Sequence, residues 1–270
     1  MAEHLLLVGG GKMGGALLAG WLARGVPRER VTVVEPGPSA AALRRTHALT
    51  VHATPAEISP GFRPAVVIFA VKPQMMDQAA PPYARYAGPG TVYLSIAAGN
   101  TIAYFRRRLG EAAAIVRAMP NTPAAVGRGI SVCCAGPGVS TKQRKTCTAL
   151  LEAVGEVAWV EEEGLLDPVT AVSGGGPAYV FHFVECLAQA GIEAGLPEAL
   201  AWRIARATVA GSGELLSRSP EPPNVLREHV TSPGGTTLEA LKILMAPDGL
   251  QPVMSRAIAA ATNRSRELAR

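Results

Sequence analysis

The chain has 270 residues, room for one large domain or two of ordinary size. Apolar residues make up 48% and charged residues 17%, which excludes a disordered chain and provides for a substantial core. The net charge of +5 comes without a basic run interleaved with aromatics, so no nucleic-acid surface is indicated.

The opening stretch, MAEHLLLV, lacks the basic start and long apolar core of a signal peptide. No charge-free run approaches bilayer-spanning length, so no membrane segment and a cytoplasmic location are expected. From there to about residue 160, short β-branched runs alternate with helical patterns. Strands are predicted over Leu5–Val8, Val31–Glu35, Ala65–Val71, Thr91–Ile96, Ala114–Arg117, Gly129–Cys134 and Glu156–Val160. Helices are predicted over Met13–Arg24, Ser39–Arg45, Met75–Tyr86, Ile102–Leu109 and Thr141–Val154. Strands that are apolar throughout and separated by helices predict a parallel, doubly wound α/β sheet covered on both faces. Cys133, Cys134, Cys147 and Cys186 form no C-x-x-C pair and read as reduced thiols, and no metal site is suggested.

The pattern changes at Glu161-Glu162-Glu163, which sets the predicted boundary between an α/β domain over 1–161 and a helical domain over 162–270. Pro177–Ala194 carries an apolar band (Val180, Phe183, Val184, Leu187) opposite a polar stripe of His182, Glu185 and Gln189. Glu198–Leu216 is small and apolar almost all round, which predicts burial on every side. The Pro-rich stretch Ser217–Pro223 ends that helix, and Leu250, Met254, Ala257, Ile258 and Ala261 repeat at helical spacing in the last one. A helix apolar on all sides is hard to cover within so small a domain. An interface between subunits, hence a homodimer or a larger homo-oligomer, is expected from this half.

Chemistry-bearing motifs sit at the ends of the predicted strands. The first strand runs into Val8-Gly9-Gly10-Gly11-Lys12-Met13-Gly14, a G-x-G-x-x-G that follows an apolar strand and opens a helix, the context the motif requires. Gly9 permits the tight turn, Gly11 lets backbone approach a pyrophosphate, and Gly14 allows close helix–strand packing. The free N–H groups of the helix start then hold phosphate. Glu35, about twenty residues on, can accept hydrogen bonds from ribose hydroxyls and repels a 2′-phosphate. Arg28, Arg30, Arg44 and Arg45 lie near enough in sequence to hold one, which leaves NADH and NADPH both open.

Three further loops outline a cleft at the same strand ends: Ala70-Val71-Lys72-Pro73, Ser95-Ile96-Ala97-Ala98-Gly99 and Met119-Pro120-Asn121-Thr122-Pro123. By spacing alone Lys72 reads as a solvated loop residue; the alternative is an approach to cofactor or substrate carboxylate. In the helical half, Ser173-Gly174-Gly175-Gly176-Pro177 precedes a helix and reads as an exposed helix start able to receive an anion. Thr231-Ser232-Pro233-Gly234-Gly235-Thr236-Thr237 opens another, either as equipment for a carboxylate and a neighbouring polar atom or as a plain helix cap.

Taken together, VGGGKMG, AVKP, SIAAG, RAMPNTP, SGGGPAY and VTSPGGTT resemble the pyrroline-5-carboxylate reductase family, in family order over nearly the whole chain. The resemblance implies a Rossmann domain followed by an all-helical dimerisation domain. It also implies an active site where one subunit's cofactor domain meets helices of its partner. Through it, Val8 to Met13, Ala70 to Pro73 and Ile96 to Ala98 become the expected contacts of NADPH or NADH, beside Gly14 and Glu35, which the glycine motif and its spacing already place there. Glu163, Ser232, Gly234, Gly235, Thr236 and Thr237 become the expected contacts of pyrroline-5-carboxylate, and the helix start at Gly234–Thr237 its carboxylate holder. Thr237 is the expected catalytic residue. No Asp, Glu or His in the motifs is an evident acid, so the imine proton is expected from the substrate itself, from water or from the Thr237 hydroxyl. Two departures stand out: Gly175 replaces the family's usual serine, and Glu35 occupies a position where members using NADPH commonly have a small polar residue. β-Hydroxyacid dehydrogenases share this domain plan but use a catalytic lysine on a long helix of the second domain, and Pro177–Leu196 contains no lysine. A non-catalytic dinucleotide-binding regulator would have no need of Thr236 and Thr237.

Overall fold

The computed structural model describes residues 4–269. Among them, eight strands form one sheet: β1 Leu5–Val8, β2 Val31–Val34, β3 Val51–His52, β4 Val66–Phe69, β5 Val92–Ser95, β6 Ala114–Met119, β7 Gly129–Ala135 and β8 Gly155–Val160. Their order is β3-β2-β1-β4-β5-β6-β7-β8. The helices α1 Lys12–Ala23, α2 Ser39–His47, α3 Met76–Ala79, α4 Ile102–Leu109 and α5 Thr141–Leu151 alternate with the strands.

The pleat explains why the central strands carry no polar face. Leu5 and Leu7 of β1, with Val66 and Ile68 of β4, pack on Leu17, Leu18 and Trp21 of α1 and Leu150 of α5. Their neighbours Leu6, Val8, Val67 and Phe69 point the other way, onto Met76, Tyr83 and Phe105. Both faces are covered, as a doubly wound sheet requires. The Trp21 indole N–H donates to the Leu150 carbonyl at 2.8 Å, so its one polar atom is satisfied inside the core.

Three features depart from the sequence expectation. β3 has two residues, too few to show a period. β7 pairs antiparallel with β6, while every other pair in the sheet is parallel. The connecting residues 120–128 hold a 3-10 turn and fall short of the crossover of about a dozen or more residues that a parallel return needs. The helix expected over Met75–Tyr86 is broken into 3-10 Pro73–Met75, the single turn α3 and 3-10 Pro81–Tyr86. Pro81 and Pro82 lack the N–H groups a continuous helix would use.

The chain divides into two compact units. One runs up to Gly175 and takes in the chain from Ala261 onward; the other is Gly176–Ala260. Strands end at β8, but the first unit continues through α6 Leu166–Val169 and a π-helical turn Thr170–Gly174. Leu166 and Val169 pack into the sheet's second core, and Ser265 Oγ donates to Asp167 Oδ1 at 2.7 Å. The second unit holds α7 Gly176–Glu193, α8 Glu198–Arg218, α9 Pro223–His229, α10 Thr236–Leu244 and the start of α11 Leu250–Leu268. α7 and α8 form a hairpin closed by Gly195 in the left-handed region, with the Leu196 N–H returning to the Gly191 carbonyl at 3.0 Å. Ala188, Ala201 and Ala205 are buried, whereas Phe181, Phe183, Trp202, Ile204, Leu215 and Leu216 are exposed in the single chain.

Candidate functional site

The strand order reverses between β1 and β4, and the crevice beyond their carboxyl ends is where such sheets bind ligands. The glycine loop fills one side of it. Gly9 has φ +98°, and a Cβ on Gly14 would stand 2.2 Å from the Gly9 carbonyl oxygen. These two positions therefore need glycine for the fold itself. Gly11 differs: a Cβ there would meet no described atom within 4 Å. It is the N-cap residue of α1, whose start has neither a side-chain cap nor an acidic residue in its first turn among the described residues. Open space beside unclaimed N–H groups at the positive end of a 12-residue helix fits a pyrophosphate.

Glu35 follows β2 at the same edge, and its orientation is fixed. Oε2 accepts from the Gly10 N–H at 2.6 Å and Oε1 from the Gly37 N–H at 2.6 Å. β4 stops at Phe69, so Ala70 and Val71 already belong to the loop; the Ala70 N–H donates to the Val8 carbonyl at 2.8 Å, against the base of the glycine loop. Lys72 is exposed, and Pro73 opens the short 3-10 turn. Next along the edge, the Ile96 N–H donates to the Phe69 carbonyl at 3.1 Å and the Ala97 N–H to Ser95 Oγ at 3.3 Å. Val8–Gly14, Glu35, Ala70–Pro73 and Ile96–Ala98 thus share one edge of the sheet.

In the second unit, α10 begins with Thr236 and Thr237 behind a Gly235 N-cap that has no side-chain cap among the described residues. Gly234 takes φ +69°, and the Gly235 N–H turns back to the Ser232 carbonyl at 3.0 Å. A Cβ on Gly235 would lie 2.4 Å from Ser232 Oγ, so the turn is drawn tight and both threonines are left exposed at the helix start. That arrangement offers N–H donors and two hydroxyls to an anion.

The Ser173–Pro177 stretch differs from expectation. It is not a free helix start: the π-helical turn leads into it, and the Gly175 N–H donates to the Thr170 carbonyl at 2.9 Å. Glu163 Oε1 accepts from the Ile102 N–H at 2.7 Å and from Arg117 Nη1 at 2.6 Å. Arg117 was not singled out from sequence, although a charged residue inside the apolar strand Ala114–Met119 was the signal. Asn121 Oδ1 accepts from the Ile130 N–H at 2.9 Å while its Nδ2 donates to Ser173 Oγ at 3.2 Å, which ties down the loop after β6.

Comparison with known proteins matches both units. Residues 5–99 fit the family described as NADP oxidoreductase coenzyme F420-dependent, and residues 163–268 fit pyrroline-5-carboxylate reductase dimerisation. A pyrroline-5-carboxylate reductase of Pseudomonas aeruginosa is 36% identical over 98% of this chain and 97% of its own, and one of Synechocystis is 38% identical over 99% of each. The chain belongs to the pyrroline-5-carboxylate reductase family. A solved pyrroline-5-carboxylate reductase of Coxiella burnetii has a TM-score of 0.93 at 30% identity, covering 100% of both chains. That of Plasmodium falciparum, solved with NADP bound, gives 0.82 at 28% identity over 100% of this chain and 99% of its own. As a pyrroline-5-carboxylate reductase family member, the chain is an NAD(P)H-dependent oxidoreductase with a Rossmann-type unit and a helical dimerisation unit. The exposed apolar faces of α7 and α8 are what a homo-oligomer covers. Among the described residues, no helix is long and apolar enough to cross a membrane.

Proposed function

We propose that the chain reduces 1-pyrroline-5-carboxylate to L-proline, closing proline biosynthesis. The observation that carries this reading is the pair of uncapped helix starts, one open at Gly11 and one bearing Thr236 and Thr237. The first suits a dinucleotide pyrophosphate, the second a small carboxylate with an adjacent polar ring atom. When bound, the reduced nicotinamide supplies the hydride. The protein's part is position and electrostatics.

Gly234, Gly235 and the α10 start hold the substrate carboxylate, with Ser232 and Thr236 beside it. The Thr237 hydroxyl hydrogen-bonds the ring nitrogen and turns the imine carbon toward the cofactor. Positive charge on that nitrogen makes the carbon electrophilic; the proton arrives with the substrate, from water or from Thr237 Oγ1. We further infer that the subunits form at least a homodimer, in which the cofactor edge of one faces the α10 start of the other. Glu35, chelated by two N–H groups, favours the ribose diol of NADH over the 2′-phosphate of NADPH. Free cysteines, three of the four buried, suit the reducing cytoplasm.

Isotope placement tests the reaction. With cofactor deuterated at the transferable position, the proline formed should carry deuterium on the ring carbon that was double-bonded to nitrogen. Proline without that label, or no proline, contradicts the proposal.

A further inference from the structure

The carboxylate of Glu163 has a place in the fold that suggests a role other than substrate contact. Beyond β5, residues 96–101 form a turn at the ligand-binding edge of the sheet, next to the loop after β4. One end of the turn is Ser95, which lies in register with Arg117 of β6. The other end is Ile102, the first residue of α4. A single oxygen, Glu163 Oε1, accepts from both Arg117 and the Ile102 N–H, at 2.6 and 2.7 Å. It therefore ties the strand beside the turn's beginning to the helix at its end. Thr101 completes the attachment by accepting the Tyr104 N–H at 3.0 Å. From a third side the Leu268 carbonyl approaches: a Cβ on Gly99 would stand 2.9 Å from it. Asn100, near the far end of the turn, is 2% exposed.

We propose that Glu163 is a positioning residue, which sets the 96–101 turn against the nicotinamide end of the cofactor through its bonds to Ile102 and Arg117. Arg117 is 9% exposed in an apolar strand and needs a counter-charge in any case. Neutralising it requires only a carboxylate nearby. Bridging it to Ile102 requires a side chain of glutamate's length.

Length and charge can be separated. Glu163→Asp keeps the charge but is one methylene too short for both bonds; Glu163→Gln loses the charge but keeps an acceptor oxygen at the same reach. Two readouts are needed: the fluorescence of reduced cofactor bound without substrate, and kcat with KM for pyrroline-5-carboxylate. Glu163→Asp should shift the bound-cofactor emission and lower kcat by roughly tenfold, with KM for the imine little changed. Glu163→Gln should restore most of both. Unchanged emission and kcat in Glu163→Asp would show that Glu163 only neutralises Arg117. Unchanged emission with KM for the imine raised in both variants would show a direct substrate contact. Either result overturns the proposal. It rests on the reductase reading only for the kinetic half. A wild-type protein that binds cofactor but never oxidises it with the imine sinks that reading and leaves the emission test standing.

Discussion

Adding one methyl group at Gly11 or at Gly14 should damage the protein in two different ways. At Gly14 the methyl would stand 2.2 Å from the Gly9 carbonyl oxygen, more than 1 Å inside ordinary contact at roughly 3.4 Å, and backbone has no rotamer to give way. α1 must move off the sheet, which costs about 2–3 kcal/mol or more and lowers the melting temperature by roughly 4–12 °C. At Gly11 the same methyl meets no described atom within 4 Å, and the residue's φ of −68° suits alanine. Gly11→Ala should therefore melt within about 4 °C of wild type, the N-cap preference for glycine over alanine being worth roughly 0.5–1 kcal/mol. It should nevertheless bind cofactor poorly, because the methyl occupies the space through which the pyrophosphate reaches the α1 N–H groups. Losing one charge-assisted hydrogen bond costs about 1.5–3 kcal/mol, or roughly ten- to a hundredfold in Kd. Calorimetry of cofactor binding beside thermal melts reads both quantities. If Gly11→Ala binds NADH and NADPH like wild type, the open space at Gly11 is not the pyrophosphate cradle.

Glu35→Ser should raise kcat/KM for NADPH relative to NADH by roughly tenfold to several hundredfold, the range for one carboxylate facing a phosphate at partly solvated separation. A wild type that already prefers NADPH strongly, with no change in the variant, would reduce Glu35 to a turn residue. Thr237→Ala should lose roughly one to two powers of ten in kcat/KM while Thr237→Ser keeps most of it. Because Gly235 occupies the N-cap position, neither variant should melt much lower; a lowered melting temperature with unchanged kcat/KM would contradict the catalytic role. Trp202→Glu places a charge on an exposed apolar face of α8 and should yield dissociated subunits in sedimentation. A wild type that is itself an active monomer refutes the interface. Mixing Gly11→Ala with Thr237→Ala subunits and allowing exchange should recover up to about a quarter of wild-type activity, since mixed dimers hold one intact site only if that site spans two subunits. No recovery places each site within one chain.

Local chemistry was legible in the sequence where one short segment carries its own physical reason. β1, the glycine loop and the start of α1 read correctly because an apolar run, φ-permissive glycines and a helical repeat follow one another without a gap. The break in Met75–Tyr86 was legible too, at Pro81-Pro82, but the apolar spacing on either side masked it. Long-range pairings were not. Nothing near Glu163 shows that Ile102 and Arg117, 61 and 46 residues earlier, will share its carboxylate. Likewise, Glu35 could be placed at the end of β2, but not its distant donor Gly10, whose N–H depends on how the loop after β1 closes. The antiparallel course of β7 is set by a short connection, and its residues look like those of a parallel strand.

The central claim is that this chain joins a nicotinamide dinucleotide and pyrroline-5-carboxylate at these two helix starts. The most direct test is the absorbance of reduced cofactor on adding pyrroline-5-carboxylate near neutral pH, for wild type and Thr237→Ala side by side. Rapid, imine-dependent loss of absorbance in wild type, slowed by roughly ten- to a hundredfold in the variant, is the predicted result. No oxidation of either NADH or NADPH by the wild-type protein would contradict it.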